Sequence, residues 1–269
     1  MNALQAEFAR RIKRGERALL PFITAGDPDC DSTVEILTRI PADSCACVEL
    51  GIPFSDPIAD GPVIQASFAR AINSGFRVTS LLDALRAARG RITVPLLAMV
   101  SYSIVHRRGV SAFVEQFAAA GISGVLAPDL AIEEADELLA ATRACGLSTI
   151  FIAAPTTEPD RLARIAAASD PFVYLQSVAG ITGERSGLPP DLPVSVQRLR
   201  SAGAKAVCIG FGVSRPEHVR EVCRVADGAI VGSAIVRRLN EAAAHRERGP
   251  ALAGRIEAAV RELAAGLPG

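Results

Sequence analysis

A chain of 269 residues that is 49% hydrophobic and 22% charged has the make-up of an ordinary globular protein, large enough to bury roughly 70–75% of its unfolded surface. Its 29 basic residues balance 29 acidic ones, so there is no net field to gather nucleic acid or an anionic membrane surface. The uncharged stretch from Ile92 to Val105 is well short of the ~20 residues that span a bilayer, so no membrane crossing is expected.

The segment Met1 to Ile12 lacks the apolar block of a secretory signal. Leu4, Phe8 and Ile12 recur every four residues, which predicts a helix lying against the body of the protein. From Ala18 onward, short apolar runs alternate with stretches of helical period. Runs at 18–24, 46–50, 95–101, 122–127, 148–153, 172–177, 206–210 and 228–231 predict eight strands. Stretches at 32–40, 78–91, 110–120, 132–144, 159–168, 192–202, 215–225 and 236–245 predict eight helices. The runs are continuously apolar rather than alternating, as in parallel strands covered on both faces. Eight such units in about 250 residues predict a (β/α)8 TIM barrel with an extra N-terminal helix. An open doubly wound sheet would carry a Gly-x-Gly-x-x-Gly turn after its first strand; the turn here reads Thr24-Ala-Gly-Asp-Pro28. No linker or shift in composition divides the chain, so a single domain over 1–269 is expected. Cys30, Cys45, Cys47, Cys145, Cys208 and Cys223 show no paired spacing and suggest reduced core residues of a cytoplasmic protein.

In a TIM barrel the chemistry gathers at the C-terminal ends of the strands. The acids expected there are Asp27, Glu49, Asp56, Asp60 and Asp129. Neither lysine is expected at that face: Lys13 lies in the leading helix and Lys205 precedes its strand, which leaves no amine for a Schiff base. His106, His218 and His245 lack ligand spacing, so no metal site is expected. What remains is carboxylate acid–base chemistry without a cofactor. Glu49 interrupts an apolar strand; there an ionised carboxylate is costly, so the group either lies at the mouth or titrates upward. A proton shuttle and a carboxylate pinned by backbone N–H groups both suit it. Asp60, in a Pro- and Gly-punctuated loop, is either part of an active-site cover or a solvated turn residue.

Glycine turns follow three successive strands, at Gly180-Ile-Thr-Gly183, Gly210-Phe-Gly-Val-Ser214 and Gly232-Ser233. Their backbone N–H groups, and a helix N-terminus after the last, suit a phosphate. Phe22, Phe54, Tyr102, Phe151, Tyr174 and Phe211 are the apolar residues expected at the mouth. An elongated phosphorylated substrate with an apolar end follows from this inventory.

The segments Leu20 to Pro28, Glu49 to Pro62, Pro128-Asp129, Gly180 to Gly183, Gly210 to Ser214 and Gly232 to Ile235 together resemble the tryptophan synthase alpha subunit family. The resemblance implies a barrel that splits indole-3-glycerol phosphate into indole and glyceraldehyde 3-phosphate. It also implies roles: Glu49 as proton shuttle, Asp60 as acceptor of the ring N–H, and Tyr174 as the residue orienting the acid. Phe22 would hold the indole face and Thr182 would close over the site, while Gly183, Phe211, Gly212, Gly232 and Ser233 would hold the phosphate. The family usually reads Tyr-Tyr-Asn-Pro after the third strand and Pro-Asp-Leu-Pro after the fourth, where this chain has Ser101-Tyr-Ser-Ile104 and ends the second motif on Ala131. Because those positions dock a beta subunit in the family, Ser103, Ile104 and Ala131 imply altered docking or a stand-alone lyase, or else ordinary drift within a working alpha subunit, which the retained docking element Asp56-Pro57 supports. The alternatives are another phosphate-binding barrel isomerase and a non-catalytic barrel that activates a partner enzyme.

Overall fold

The computed structural model describes residues 1–57, 60–176, 189–210 and 212–268. The chain opens with helix α1 (Ala3–Arg14), strand β1 (Ala18–Thr24), α2 (Cys30–Arg39), β2 (Val48–Gly51), α3 (Pro62–Asn73) and α4 (Val78–Ala87). It continues through β3 (Leu96–Met99), α5 (Tyr102–Arg108), α6 (Val110–Ala119), β4 (Gly124–Leu126), a 3-10 turn (Ile132–Glu134) and α7 (Asp136–Ala144). After β5 (Ser148–Ile150) and β6 (Ile152–Ala153) come α8 (Pro159–Ala168), β7 (Val173–Gln176), α9 (Leu192–Ser201), β8 (Val207–Gly210) and α10 (Pro216–Val225). The described chain ends with β9 (Gly228–Val231), α11 (Ser233–Ala244) and α12 (Gly249–Ala264).

Among the described residues these strands form one parallel sheet in the order β5-β4-β3-β2-β1-β9-β8-β7-β6. The two ends of that order are consecutive in the chain. β5 pairs with β4 and β6 pairs with β7, with a break at Phe151, so a single crossing joins both edges of the sheet and closes the barrel. The expected eight strands are thus eight crossings, one of them in two pieces.

Side-chain alternation divides the core into two layers. Leu20, Leu97, Leu126, Ile150, Phe172, Cys208 and Ile230 fill the barrel interior. Leu19, Ile23, Leu50, Val125, Leu175 and Ile209 face outward and pack against Leu37, Leu81, Phe113, Leu162 and Leu199 of the helices. Burial on both faces is what made the runs continuously apolar.

Helix α1 closes the bottom of the barrel. Asn2 and Gln5 cap each other reciprocally, and the Asn2 side chain reaches the Gly146 carbonyl and Ser148 Oγ at 3.0 and 3.1 Å. Leu4 and Phe8 enter the interior cluster, where the Phe8 ring stacks on Phe172 with centroids 4.9 Å apart. The sequence stripe misplaced one residue: Ile12 is 51% exposed, whereas Arg11 is only 4% exposed. Positions 4, 8 and 11 lie on one helical face and position 12 drifts off it. The Arg11 guanidinium is satisfied by Glu7 at 2.7 Å and the Arg17 carbonyl at 2.8 Å. Lys205 lies at this same end, paired with Asp170 at 2.8 Å.

Helices α3, α5 and α12 were not anticipated from the pattern. Residues 62–73 fall outside the predicted helices, yet Pro62 starts a helix that buries Ile64, Phe68 and Ala71. No described helix is long and apolar enough to cross a membrane.

The two faces of α1 differ in their sensitivity to truncation. Phe8→Ala is expected to lower unfolding stability by about 3–5 kcal/mol, while Ile12→Ala stays within about 0.5 kcal/mol, both measured by urea denaturation.

Candidate active site

The open end of the barrel lies where the strands finish. Glu49, in the middle of β2, stands in register with Phe22 of β1 and Leu97 of β3, and its parity turns it inward. It is 2% exposed, and its Oε1 has no hydrogen-bond partner among the described residues. Burial, reinforced by the nearby charge of Asp60, pushes the Glu49 carboxyl up to about 8. An ionised carboxylate is disfavoured away from water unless donors compensate it.

Asp60 precedes Gly61 and Pro62 at the start of α3. Its backbone N–H donates to the Pro57 carbonyl at 3.1 Å, and its carbonyl accepts from Gln65 Nε2 at 2.7 Å, so the backbone of the acid is held on both sides. Burial pushes its carboxyl up to about 6. At neutral pH the mouth therefore holds a protonated Glu49 beside an ionised Asp60. Two carboxyl groups with their pKa values pushed apart can serve as acid and counter-charge in one reaction.

Tyr174, on β7, sits across the barrel from β2. Its hydroxyl is held well above the ordinary tyrosine range, first by burial and then by the charges of Glu49 and Asp60. The ring occupies the space over Gly210, where any β-carbon would overlap the phenol. Gly51 is a matching socket, for a β-carbon there would overlap the Phe22 ring. Gly210 thus makes room for an aromatic ring, a role distinct from the phosphate turn anticipated for its segment.

Phe22 also packs with Ile64 and Phe68 of α3 and Val236 of α11. A β-carbon at Gly232 would lie 3.9 Å from Phe22 Cβ and 3.6 Å from Ile64 Cδ1, so the start of α11 at Ser233 is beside the apolar wall. N–H groups in the first turn of a helix have no intrahelical acceptors and favour anions. Gly212 takes the left-handed φ of 72° after β8, a conformation that suits glycine. Thr182, Gly183 and Phe211 lie outside the described residues.

Other expected mouth residues serve elsewhere. Asp27 is 1% exposed and accepts from the Ser67 hydroxyl and from Arg70 Nη2 at 2.5 Å. Arg70 also donates to the Asn240 side chain. Asp27 therefore ties the β1 turn to α3 and, through Arg70, to α11, and does not face the mouth. Phe151 belongs to the outer layer at the β5–β6 break. Tyr102 starts α5 and packs against that same outer layer. Asp129 accepts from the Tyr102 N–H at 2.7 Å and from Ser101 Oγ at 2.6 Å, which fixes the start of α5. A cavity of about 270 Å³ opens beside Asp60, lined by Ile52, Phe54, Asp56, Met99 and Asp129 among others. Among the described residues no cluster of His, Cys, Asp and Glu could hold a metal ion.

Sequence reasoning missed Thr24, whose buried hydroxyl also has no hydrogen-bond partner among the described residues. It missed the latch of Arg70 and Asn240 as well. The available signal for the latch was a pair of polar residues at helical spacing, Ser67 and Arg70, in a segment outside the predicted helices.

The family model for the tryptophan synthase alpha chain matches residues 8–266. The alpha chain of Prochlorococcus marinus (strain MIT 9313) is 43% identical over 241 residues, covering 89% of this chain and 88% of that one. Among solved structures, tryptophan synthase from Mycobacterium tuberculosis superposes with a TM-score of 0.86 at 35% identity over 98% of each chain. The tryptophan synthase complex from Pyrococcus furiosus gives 0.82 at 34% identity, over 92% of this chain and 98% of that one. With the same barrel along its whole length and this degree of identity, the chain belongs to the tryptophan synthase alpha chain family, the lyases of indole-3-glycerol phosphate.

Proposed function

We propose that Glu49 and Asp60 carry the family's retro-aldol cleavage of indole-3-glycerol phosphate in this chain. The observation that carries the assignment is the buried Glu49 carboxyl with its unpartnered oxygen, beside a second acid. Protonated Glu49 gives its proton to C3 of the indole ring. Positive charge then spreads to the ring nitrogen, whose N–H donates to the Asp60 carboxylate. The Glu49 carboxylate takes the proton of the hydroxyl on the adjoining carbon. The carbon–carbon bond breaks with its electron pair returning to the ring, and that carbon leaves as the aldehyde of glyceraldehyde 3-phosphate. Glu49 finishes protonated, as it began. Each positioned proton-transfer group typically contributes 10²–10⁴-fold.

Phe22 supports the ring face and Tyr174 orients the acid. Gly212, Gly232 and Ser233 hold the phosphate with main-chain donors and one hydroxyl. The roles of Thr182, Gly183 and Phe211 rest on the family resemblance alone. Six unpaired cysteines support a cytoplasmic setting.

Alpha chains of this family assemble with a beta subunit. Ser103 and Ile104 lie in the first turn of α5, the helix start that Asp129 fixes, and Ala131 lies two residues beyond Asp129. The three departures from the family pattern therefore share one rim, beside the cavity that includes Asp56 and Pro57. We propose that this rim docks the beta subunit and that its altered side chains weaken the contact. Indole release by the purified protein is expected without a partner, and an added beta chain should stimulate it less than it stimulates an alpha chain bearing Tyr-Tyr-Asn-Pro.

Glu49→Gln should lower kcat by at least ~10², measured as indole formed from indole-3-glycerol phosphate; near-normal turnover would remove Glu49 from the shuttle role. The same variant has a stability signature. The folded-state pKa of Glu49 is raised from 4.5 to about 8, so between those values the folded state holds a proton that the unfolded chain has released. Stability attributable to this group is present below about pH 4.5 and is lost as pH rises toward 8. The melting temperature of the wild type should fall across that window more steeply than that of Glu49→Gln, as read by thermal scans from pH 5 to 8.5.

A further inference from the structure

Thr24 is 0% exposed. Its Oγ1 and the Glu49 Oε1 are the buried side-chain oxygens found without a hydrogen-bond partner among the described residues. The other buried threonines are satisfied: Thr33 donates to the Asp29 carbonyl at 2.9 Å, and Thr142 and Thr149 share a bond of 2.7 Å. A strand position with no use for a hydroxyl accepts valine at the same volume, and buried polar groups left unpaired are selected against unless they serve a purpose.

Alternation along β1 fixes where this hydroxyl points. Ile23 and Ala25 belong to the outer layer, while Leu20 lies inside the barrel and Phe22 at its mouth, so Thr24 faces inward one step above Phe22. It stands in register with Gly51, whose missing side chain leaves the space that the Phe22 ring occupies, so its neighbour on that side is an aromatic ring that offers the hydroxyl no partner. The sheet order then decides which part of a ligand it meets. β1 lies between β2, which carries Glu49, and β9, which leads into Gly232 and Ser233. A substrate whose ring meets Glu49 and whose phosphate meets the start of α11 must pass its connecting chain across the end of β1. In indole-3-glycerol phosphate that chain carries two alcohols, and Glu49 deprotonates the one next to the ring.

We propose that Thr24 contacts the substrate, its hydroxyl hydrogen-bonding the second alcohol, the one nearer the phosphate, so that the site selects the full polyol over a deoxy chain. This rests on the retro-aldol assignment above. A site built around a hydroxyl discriminates against the analogue lacking it because its own polar group is then left unpaired.

The test compares kcat/KM for indole-3-glycerol phosphate with that for its analogue lacking only the second alcohol, which can still be cleaved. The wild type should prefer the full substrate by about 10- to 100-fold. Thr24→Val should lose that preference by falling on the full substrate while keeping its value on the analogue, and Thr24→Ser should retain it. Because the Thr24 hydroxyl has no hydrogen-bond partner among the described residues, the melting temperature of Thr24→Val should not drop by more than about 2 °C. Equal losses on both substrates, no loss on either, or a clear fall in melting temperature would each overturn the role of Thr24 and leave the lyase assignment standing. Failure of the wild type to cleave either compound would instead overturn the assignment and this proposal with it.

Discussion

A carboxyl group enclosed in a parallel barrel, with one oxygen that has no hydrogen-bond partner among the described residues, is the constraint on which the site depends. Glu49 lies on a four-residue strand flanked by β1 and β3 and is only 2% exposed, so its ionised form is poorly solvated. Its stable form near neutral pH is therefore the protonated one, and its acidity is available only to a group that enters the mouth. Asp60 contributes a second charge, its backbone hydrogen-bonded to Pro57 and Gln65. Its position at the head of α3 keeps it near Glu49 without pairing the two acids to a common base.

The rest of the molecule holds that geometry from three directions. From below, α1 seals the barrel with Leu4 and Phe8, so the interior stays apolar up to Glu49. From the side, Asp27, Ser67, Arg70 and Asn240 join the β1 turn, α3 and α11 in one polar network. That network links the helix that follows Asp60 to the helix whose start offers anion-binding N–H groups. Across the mouth, Gly51 and Gly210 yield the space that the rings of Phe22 and Tyr174 occupy. A methyl group at either glycine would collide with an aromatic residue of the site, so these two positions constrain the pocket as strongly as the residues that line it.

Much of the fold was legible because burial leaves a local signature. Strands covered on both faces read as unbroken apolar runs, and β1 matches its run residue for residue. The misses also have local causes. In α3 the apolar stripe of Ile64, Phe68 and Ala71 follows directly on a Pro- and Gly-punctuated loop, and Ser67 and Arg70 are spaced to meet Asp27. In α1 the stripe drawn through Ile12 ignored the drift of a helix of 3.6 residues per turn. The break at Phe151 interrupts a run whose composition is continuous, since one residue outside the ladder changes hydrogen bonding and leaves hydropathy unchanged.

By itself the sequence determined the alternation of strand and helix, the balance of charge, and the set of acids and glycines available at strand ends, because each of these is a property of neighbouring residues. Only the tertiary structure decided which of those acids face one another. Asp27 and Asp60 follow neighbouring strands, yet one is consumed by an arginine and the other stands beside Glu49. The difference arises from barrel closure, which brings residues more than a hundred positions apart, such as Glu49 and Tyr174, into one low-dielectric space. No local pattern records the distances across it.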